Sequence, residues 1–180
     1  LNDSHDIFIC EMGAKLPGEI KELAETVVPN YAVITGITIQ HLETFLTVEN
    51  VIKTKAEIIG DYFKGTAFIS GDNKYALNIY ENALCEKYLA GANNKNGLVY
   101  AENVTMNESG SSFTMVYGER KIPVSIPLLG MSNIHNVCLA AAVALKLGLA
   151  LEEIEIALTR LKQIPHRLSV STSANGVHII

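Results

Sequence analysis

Apolar and polar positions along the first ninety residues alternate between two periods. Asp6–Met12 (DIFICEM) is an apolar run that stops at Gly13 and predicts a strand, and Pro17–Val28 carries apolar residues at helical spacing until Pro29 ends it. Tyr31–Ile37 predicts a second strand and Thr47–Phe63 a longer helix. Thr66–Ser70 (TAFIS) predicts a third strand, Gly71-Asp72-Asn73 a turn, and Tyr75–Leu89 a helix. This βαβαβα rhythm predicts an α/β fold, a mostly parallel sheet flanked by helices. Ligands of such sheets bind beyond the carboxyl ends of the strands, which places Glu11, His41 and Asp72 on one candidate rim.

From Gly91 the pattern changes. Gly91–Gly97 is a polar loop, and Leu98–Ser125 consists of short β-rich runs broken at Asn107-Glu108-Ser109-Gly110 and Gly118-Glu119, which predicts a small antiparallel β meander. Two helices follow. Ser132–Leu147 is Ala-rich, with Ser132 as its expected N-cap and Gly148 at its end, and Leu151–Leu161 stops before Pro165.

Composition narrows the function classes. A chain of 180 residues, 48% hydrophobic, can bury one substantial core. Its net charge of −5, with scattered lysines, gives no basic face for nucleic acid, and no apolar run is long enough to span a membrane. Cys10, Cys85 and Cys138 are far apart and lie in apolar surroundings, so they read as buried thiols of a cytoplasmic protein.

The helix after the second strand carries the sharpest chemical signal. Positions 48, 51, 52, 55, 58, 59 and 62 share one face at helical spacing, and only Lys55 interrupts its apolar stripe. Lys53 lies instead in the row Glu49-Lys53-Glu57, the arrangement of a solvated face. A lysine on an apolar face can snorkel its ammonium to water. Alternatively, desolvation favours the neutral amine, which can take up carbon dioxide and become a carbamate with oxygens suited to a hard cation such as Mg²⁺. The residues alone leave both readings open.

Several short motifs, in order, resemble the central ATPase domain of the Mur ligases. They are Glu11-Met12-Gly13-Ala14, Pro17-Gly18-Glu19-Ile20, Gln40-His41-Leu42-Glu43-Thr44-Phe45 with Glu49-Asn50 and Lys53-Thr54-Lys55, Gly71-Asp72-Asn73, Asn133-Ile134-His135-Asn136 and Ile164-Pro165-His166-Arg167-Leu168. Within the family the likeness is to the branch that joins D-alanyl-D-alanine to UDP-MurNAc-tripeptide in peptidoglycan synthesis. The resemblance implies ATP and Mg²⁺ as cofactors, UDP-MurNAc-tripeptide and D-Ala-D-Ala as substrates, and a monomer. It implies Glu11 and His41 as magnesium ligands and a carbamylated lysine fourteen positions after the His, which is Lys55. It further implies Asn136, with Asn133, at the adenine, Arg167 at the nucleotide phosphates, Asp72 in the family's turn after the strand, as a turn-forming or a cofactor-binding residue, and Glu43 in support of the His41 loop.

The chain also departs from the family pattern. Gly36-Ile37-Thr38 stands where many relatives have Asn-Ile-Gly, and Ser132 where the adenine pattern begins with His. The family's phosphate-binding Gly-x-x-Gly-Lys-Thr/Ser loop does not occur in these residues. The expectation is therefore an incomplete central domain over residues 1–168, inactive by itself, with residues 169–180 starting a C-terminal ligase domain. Two other classes stand beside the ligase: a metal-dependent hydrolase built on a carbamylated lysine, and a non-catalytic Mur-like binding domain. The hydrolase would need more histidines near strand ends than His41.

Overall fold

The computed structural model describes residues 2–38, 42–163, 171–172, 175 and 178–179; His41 and Arg167, both expected at the site, lie outside the described residues. Helix α1 (Glu19–Val27) leads into β1 (Tyr31–Ile34). A single turn, α2 (Leu42–Phe45), precedes α3 (Val48–Ala56), which tightens into a 3₁₀ turn at Glu57–Ile59. Then come β2 (Thr66–Ser70), α4 (Lys74–Asn82) and β3 (Glu86–Ala90). The second half holds β4 (Tyr100–Asn107), β5 (Gly110–Tyr117), β6 (Arg120–Ile126), α5 (Met131–Lys146) and α6 (Leu151–Leu158), and two short pieces, β7 (Ser171–Thr172) and β8 (His178–Ile179), pair antiparallel.

β1, β2 and β3 form a parallel sheet in that order, and β4, β5 and β6 an antiparallel meander. This is the mostly parallel α/β architecture with a small meander that the patterning predicts. The central strand explains how the layers assemble. Successive side chains of a strand point to opposite faces, so Ala67 and Ile69 join a core with Val51 of α3 and Ala76 and Ile79 of α4. Phe68 enters a second core with Ile134, Cys138, Ala141 and Ala142 of α5 and the inner face of the meander. Among the described residues, no helix is long and apolar enough to cross a membrane.

Several elements differ from the expectation. Residues 6–12 form no strand: the segment pairs with no strand among the described residues, and Ile7, Phe8 and Ile9 are exposed. An apolar run becomes a strand only where a sheet edge takes its backbone donors and acceptors. The helix expected over 75–89 ends at Asn82 and β3 follows, because Lys87 reaches back and donates to the carbonyls of Tyr80 (2.6 Å) and Ala83 (2.7 Å). A cation on the last carbonyls closes α4, and Glu86 at the start of β3 accepts from Thr66 of β2. The helix expected to reach Phe63 ends at Ala56, the strand expected to reach Ile37 ends at Ile34, and α6 stops at Leu158. Ser132 is no cap: α5 begins after Gly130, whose φ of 94° turns the chain, and Ser132 lies within the first turn. Of the three cysteines only Cys138 is buried, Cys85 is partly covered and Cys10 is exposed. Cys10 is open because it belongs to the unpaired 6–12 segment.

Candidate active site

Four chain segments meet at the carboxyl edge of the parallel sheet, and polar side chains lock them together. Asp72, just past β2, accepts from the backbone N–H groups of Ala92 (2.6 Å), Asn93 (3.0 Å) and Asn94 (3.0 Å) in the loop after β3. The amide side chain of Asn94 returns a bond to the Gly71 carbonyl at 2.9 Å. This crossing is so close that a Cβ on Gly91 would sit 2.9 Å from the Asp72 carboxyl carbon, which is why glycine stands there. Asp72 thus orders the rim, in line with a turn-forming role, and both its oxygens are engaged by protein donors.

Asn73 works in the other direction. Its side-chain oxygen accepts from the N–H groups of Tyr75 and Ala76, capping α4, while its amide nitrogen donates to the Ile37 carbonyl at 3.0 Å. From α5, His135 places Nδ1 3.2 Å from the Asp72 carboxylate and Nε2 2.7 Å from the Thr35 carbonyl. Residues 35–38, which run toward His41, are therefore held at two carbonyls. Downstream of His41 the chain is also anchored: Phe45 is buried in the core, Asn50 donates to the Phe45 carbonyl at 2.8 Å, and Thr47 caps α3 through the Asn50 N–H.

Lys55 and Lys53 occupy different environments. Lys55 is partly buried in the last turn of α3 and Lys53 is exposed, as the helix periodicity predicts. The expected Glu49-Lys53-Glu57 row does not form as drawn, because Glu57 turns away to accept from the N–H groups of Gly18 (2.8 Å) and Lys21 (3.1 Å) at the start of α1. Open helix N–H groups are stronger claimants on a carboxylate than an exposed lysine. The consequence is a tether. Glu57, two residues beyond Lys55, holds the start of α1, seven residues after Glu11, against the end of α3. Glu19 tightens the same segment by accepting from the N–H groups of Lys15 (2.7 Å) and Leu16 (3.0 Å), bonds that lower its carboxyl pKa.

Glu11 is exposed, and no hydrogen bond to its carboxylate occurs among the described residues. A free carboxylate suits a hard cation such as Mg²⁺ in donor chemistry. Among the described residues no three His, Cys, Asp or Glu side chains gather as metal ligands, and His41, the second expected ligand, lies outside them. Asn136 is exposed on α5 with its amide open to a ligand. Asn133 donates instead to the Leu129 carbonyl at 2.7 Å, which fixes the turn entering the helix. The structure thus brings together Asp72, the loop after β3 and α5, and ties the start of α1 to the end of α3, which bears Lys55. The residue that sequence reasoning missed is His135, whose partners lie 63 and 100 positions away.

Below the rim, Cys138 is fully buried and its thiol pKa is pushed up to about 12, first by burial and then by the nearby Asp72 charge. It is an inert thiol that fills space beneath the site.

Comparison with known proteins accords with this geometry. The family model of the Mur ligase middle domain matches residues 1–144. The chain is 34% identical over 171 residues to the UDP-N-acetylmuramoyl-tripeptide–D-alanyl-D-alanine ligase of Buchnera aphidicola subsp. Baizongia pistaciae, covering 94% of this chain and 37% of that protein. It is 30% identical over 169 residues to the ligase of the same name from Haemophilus influenzae, with 93% of this chain and 36% of that protein covered. A crystal structure of MurF from Acinetobacter baumannii superposes with a TM-score of 0.87 at 26% identity, over 97% of this chain and 38% of that one. The chain spans well under half the length of the curated relatives it matches.

Proposed function

As this chain belongs to the Mur ligase family, we propose that it is the middle portion of a longer cytoplasmic ATP-dependent ligase that joins D-alanyl-D-alanine to UDP-MurNAc-tripeptide. The observation that carries the reading is the likeness over more than nine-tenths of the chain to ligases named for that reaction. In this reading residues 1–168 are the central ATPase domain and residues 169–180 begin the next one, and the enzyme works as a monomer.

The chemistry follows from what an amide bond requires. A carboxylate oxygen of the tripeptide attacks the γ-phosphorus of ATP and ADP leaves, which gives an acyl phosphate. The amine of D-Ala-D-Ala then adds to the acyl carbon, the tetrahedral intermediate collapses, and phosphate departs with the original carboxylate oxygen while the amine loses a proton. Glu11, His41 and the carbamate of Lys55 would hold Mg²⁺, which supplies positive charge against the charge that develops on the phosphates. Lys55 is suited to carbamylation by its partly buried place at the end of α3, and the Glu57 tether fixes the start of α1, downstream of Glu11, against that helix. Asn136 would bind adenine, with Asn133 shaping the turn before it, and Arg167 would clamp the nucleotide phosphates through its planar fork. Asp72 keeps the rim in register through its bonds to Ala92, Asn93 and Asn94, beside the place the nucleotide would take.

The test is phosphate release by the full-length protein. The reading expects release only when ATP, UDP-MurNAc-tripeptide and D-Ala-D-Ala are all present, and release without either peptide substrate would overturn it.

A further inference from the structure

We propose that His135 is a positioning residue that couples the nucleotide end of the site to its metal end, a role that rests on the ligase reading above. Its imidazole is the one side chain among the described residues that leaves α5 to bond both the segment running toward His41, at the Thr35 carbonyl (2.7 Å), and Asp72 (3.2 Å). Asn136, the expected adenine contact, is the next residue on the same helix. Only 13% of the His135 side chain and 17% of that of Asp72 are exposed, so this pair is partly screened from water, whereas Thr35 at the other end of the ring is exposed. Through Asp72 the ring also reaches the loop at Ala92, Asn93 and Asn94. Settling a nucleotide on α5 therefore bears, through one ring, on the backbone that leads to His41.

The two bonds have separate consequences. Both facing atoms are acceptors, so each ring nitrogen that carries a proton donates to its own partner. The Nδ1 bond closes the network around Asp72, which already has three backbone donors and holds without it. The Nε2 bond reaches Thr35, and beyond it, among the described residues, the 35–38 segment is held by the Asn73 bond at the Ile37 carbonyl and by the buried Ile37 side chain. The Nε2 bond therefore positions the backbone at Thr35 on the metal side of the site, and its loss leaves α5 intact but loosens residues 35 and 36, ahead of the Ile37 anchor.

Side-chain amides separate the two. The nitrogen of Asn stands close to the place of Nδ1 and that of Gln close to the place of Nε2, so His135→Gln keeps the Thr35 bond and His135→Asn keeps the Asp72 bond. In the full-length protein His135→Ala and His135→Asn should raise the Mg²⁺ concentration for half-maximal phosphate release about five- to tenfold, the worth of one hydrogen bond, with KM for ATP within about twofold of wild type. His135→Gln should restore the wild-type Mg²⁺ requirement. Equal behaviour of the Asn and Gln variants, or an unchanged Mg²⁺ requirement in all three, would overturn the proposal. Hydrogen exchange of the same proteins reads the coupling without turnover: faster exchange at residues 35 and 36 in the Ala and Asn variants, but not in Gln, is expected. If the wild-type protein released no phosphate the ligase reading would fail, and uniform exchange across the variants would sink the coupling independently.

Discussion

Lys55 and Lys53 stand two positions apart on one helix, and the helix period separates them. On the proposed ligase reading Lys55 holds the metal through its carbamate, so Lys55→Ala should lower turnover by at least about a hundredfold, while Lys53→Ala should stay within about twofold. Short carboxylic acids should restore part of the Lys55→Ala activity by standing in for the carbamate; full activity of the unrescued variant would remove Lys55 from the site. A second residue-scale expectation concerns the thiols. Cys10 is exposed and Cys138 buried, so an alkylating reagent at pH 8 should modify Cys10 in the native protein and Cys138 only on unfolding. The Cys138 pKa of about 12 in the fold lies above its unfolded value near 9, so the native state keeps this proton where the unfolded chain loses it. Its contribution is fully present below pH 9 and is lost as pH rises toward 12. Between pH 8 and 10.5 the wild type should lose about 2 kcal/mol more stability than Cys138→Ala, measured by urea unfolding at the two pH values.

At the scale of elements, the cap of α4 and the central strand carry the argument. Asn73 caps α4 and holds Ile37, so Asn73→Ala should cost about 1–2 kcal/mol and loosen the segment before His41 at once. Phe68 is fully buried and stacks near Tyr88, with ring centroids 5.9 Å apart. Phe68→Ala should cost about 3–5 kcal/mol in denaturant unfolding, and a loss under 1 kcal/mol would mean that the β2–α5 layer is not a packed core. The pattern of positions was sufficient for β2, the meander and α5, because each has a clear period bounded by turn residues. It failed over 75–89, where a helical period continues into β3, and the Lys87 bonds to the Tyr80 and Ala83 carbonyls together with the pairing of Glu86–Ala90 with Thr66–Ser70 end it. At Asp6–Met12 the apolar residues have no neighbouring strand among those described, and no strand forms there.

At the scale of the whole molecule, the pieces of the site come from segments far apart in sequence, and that limits what the sequence alone reveals. The partly buried place of Lys55 was legible because a helix repeats locally and its neighbours within the same helix mark it as out of place. His135 was not, because its meaning lies in a carboxylate 63 positions away and a carbonyl 100 positions away. The redirection of Glu57 toward α1 was equally hidden, since nothing in the local pattern shows that the helix N–H groups of Gly18 and Lys21 need an acceptor. The folded rim thus joins what the family resemblance supplies as separate motifs into one connected set of backbone anchors.

The central claim, amide ligation through an acyl phosphate, is tested most directly by the fate of one oxygen. The full-length protein would be supplied with ATP, D-Ala-D-Ala and UDP-MurNAc-tripeptide labelled with ¹⁸O in the reacting carboxylate, and the released phosphate examined by mass spectrometry. Transfer of one ¹⁸O atom to each phosphate is the expected result, whereas unlabelled phosphate would contradict the account and point to attack by water.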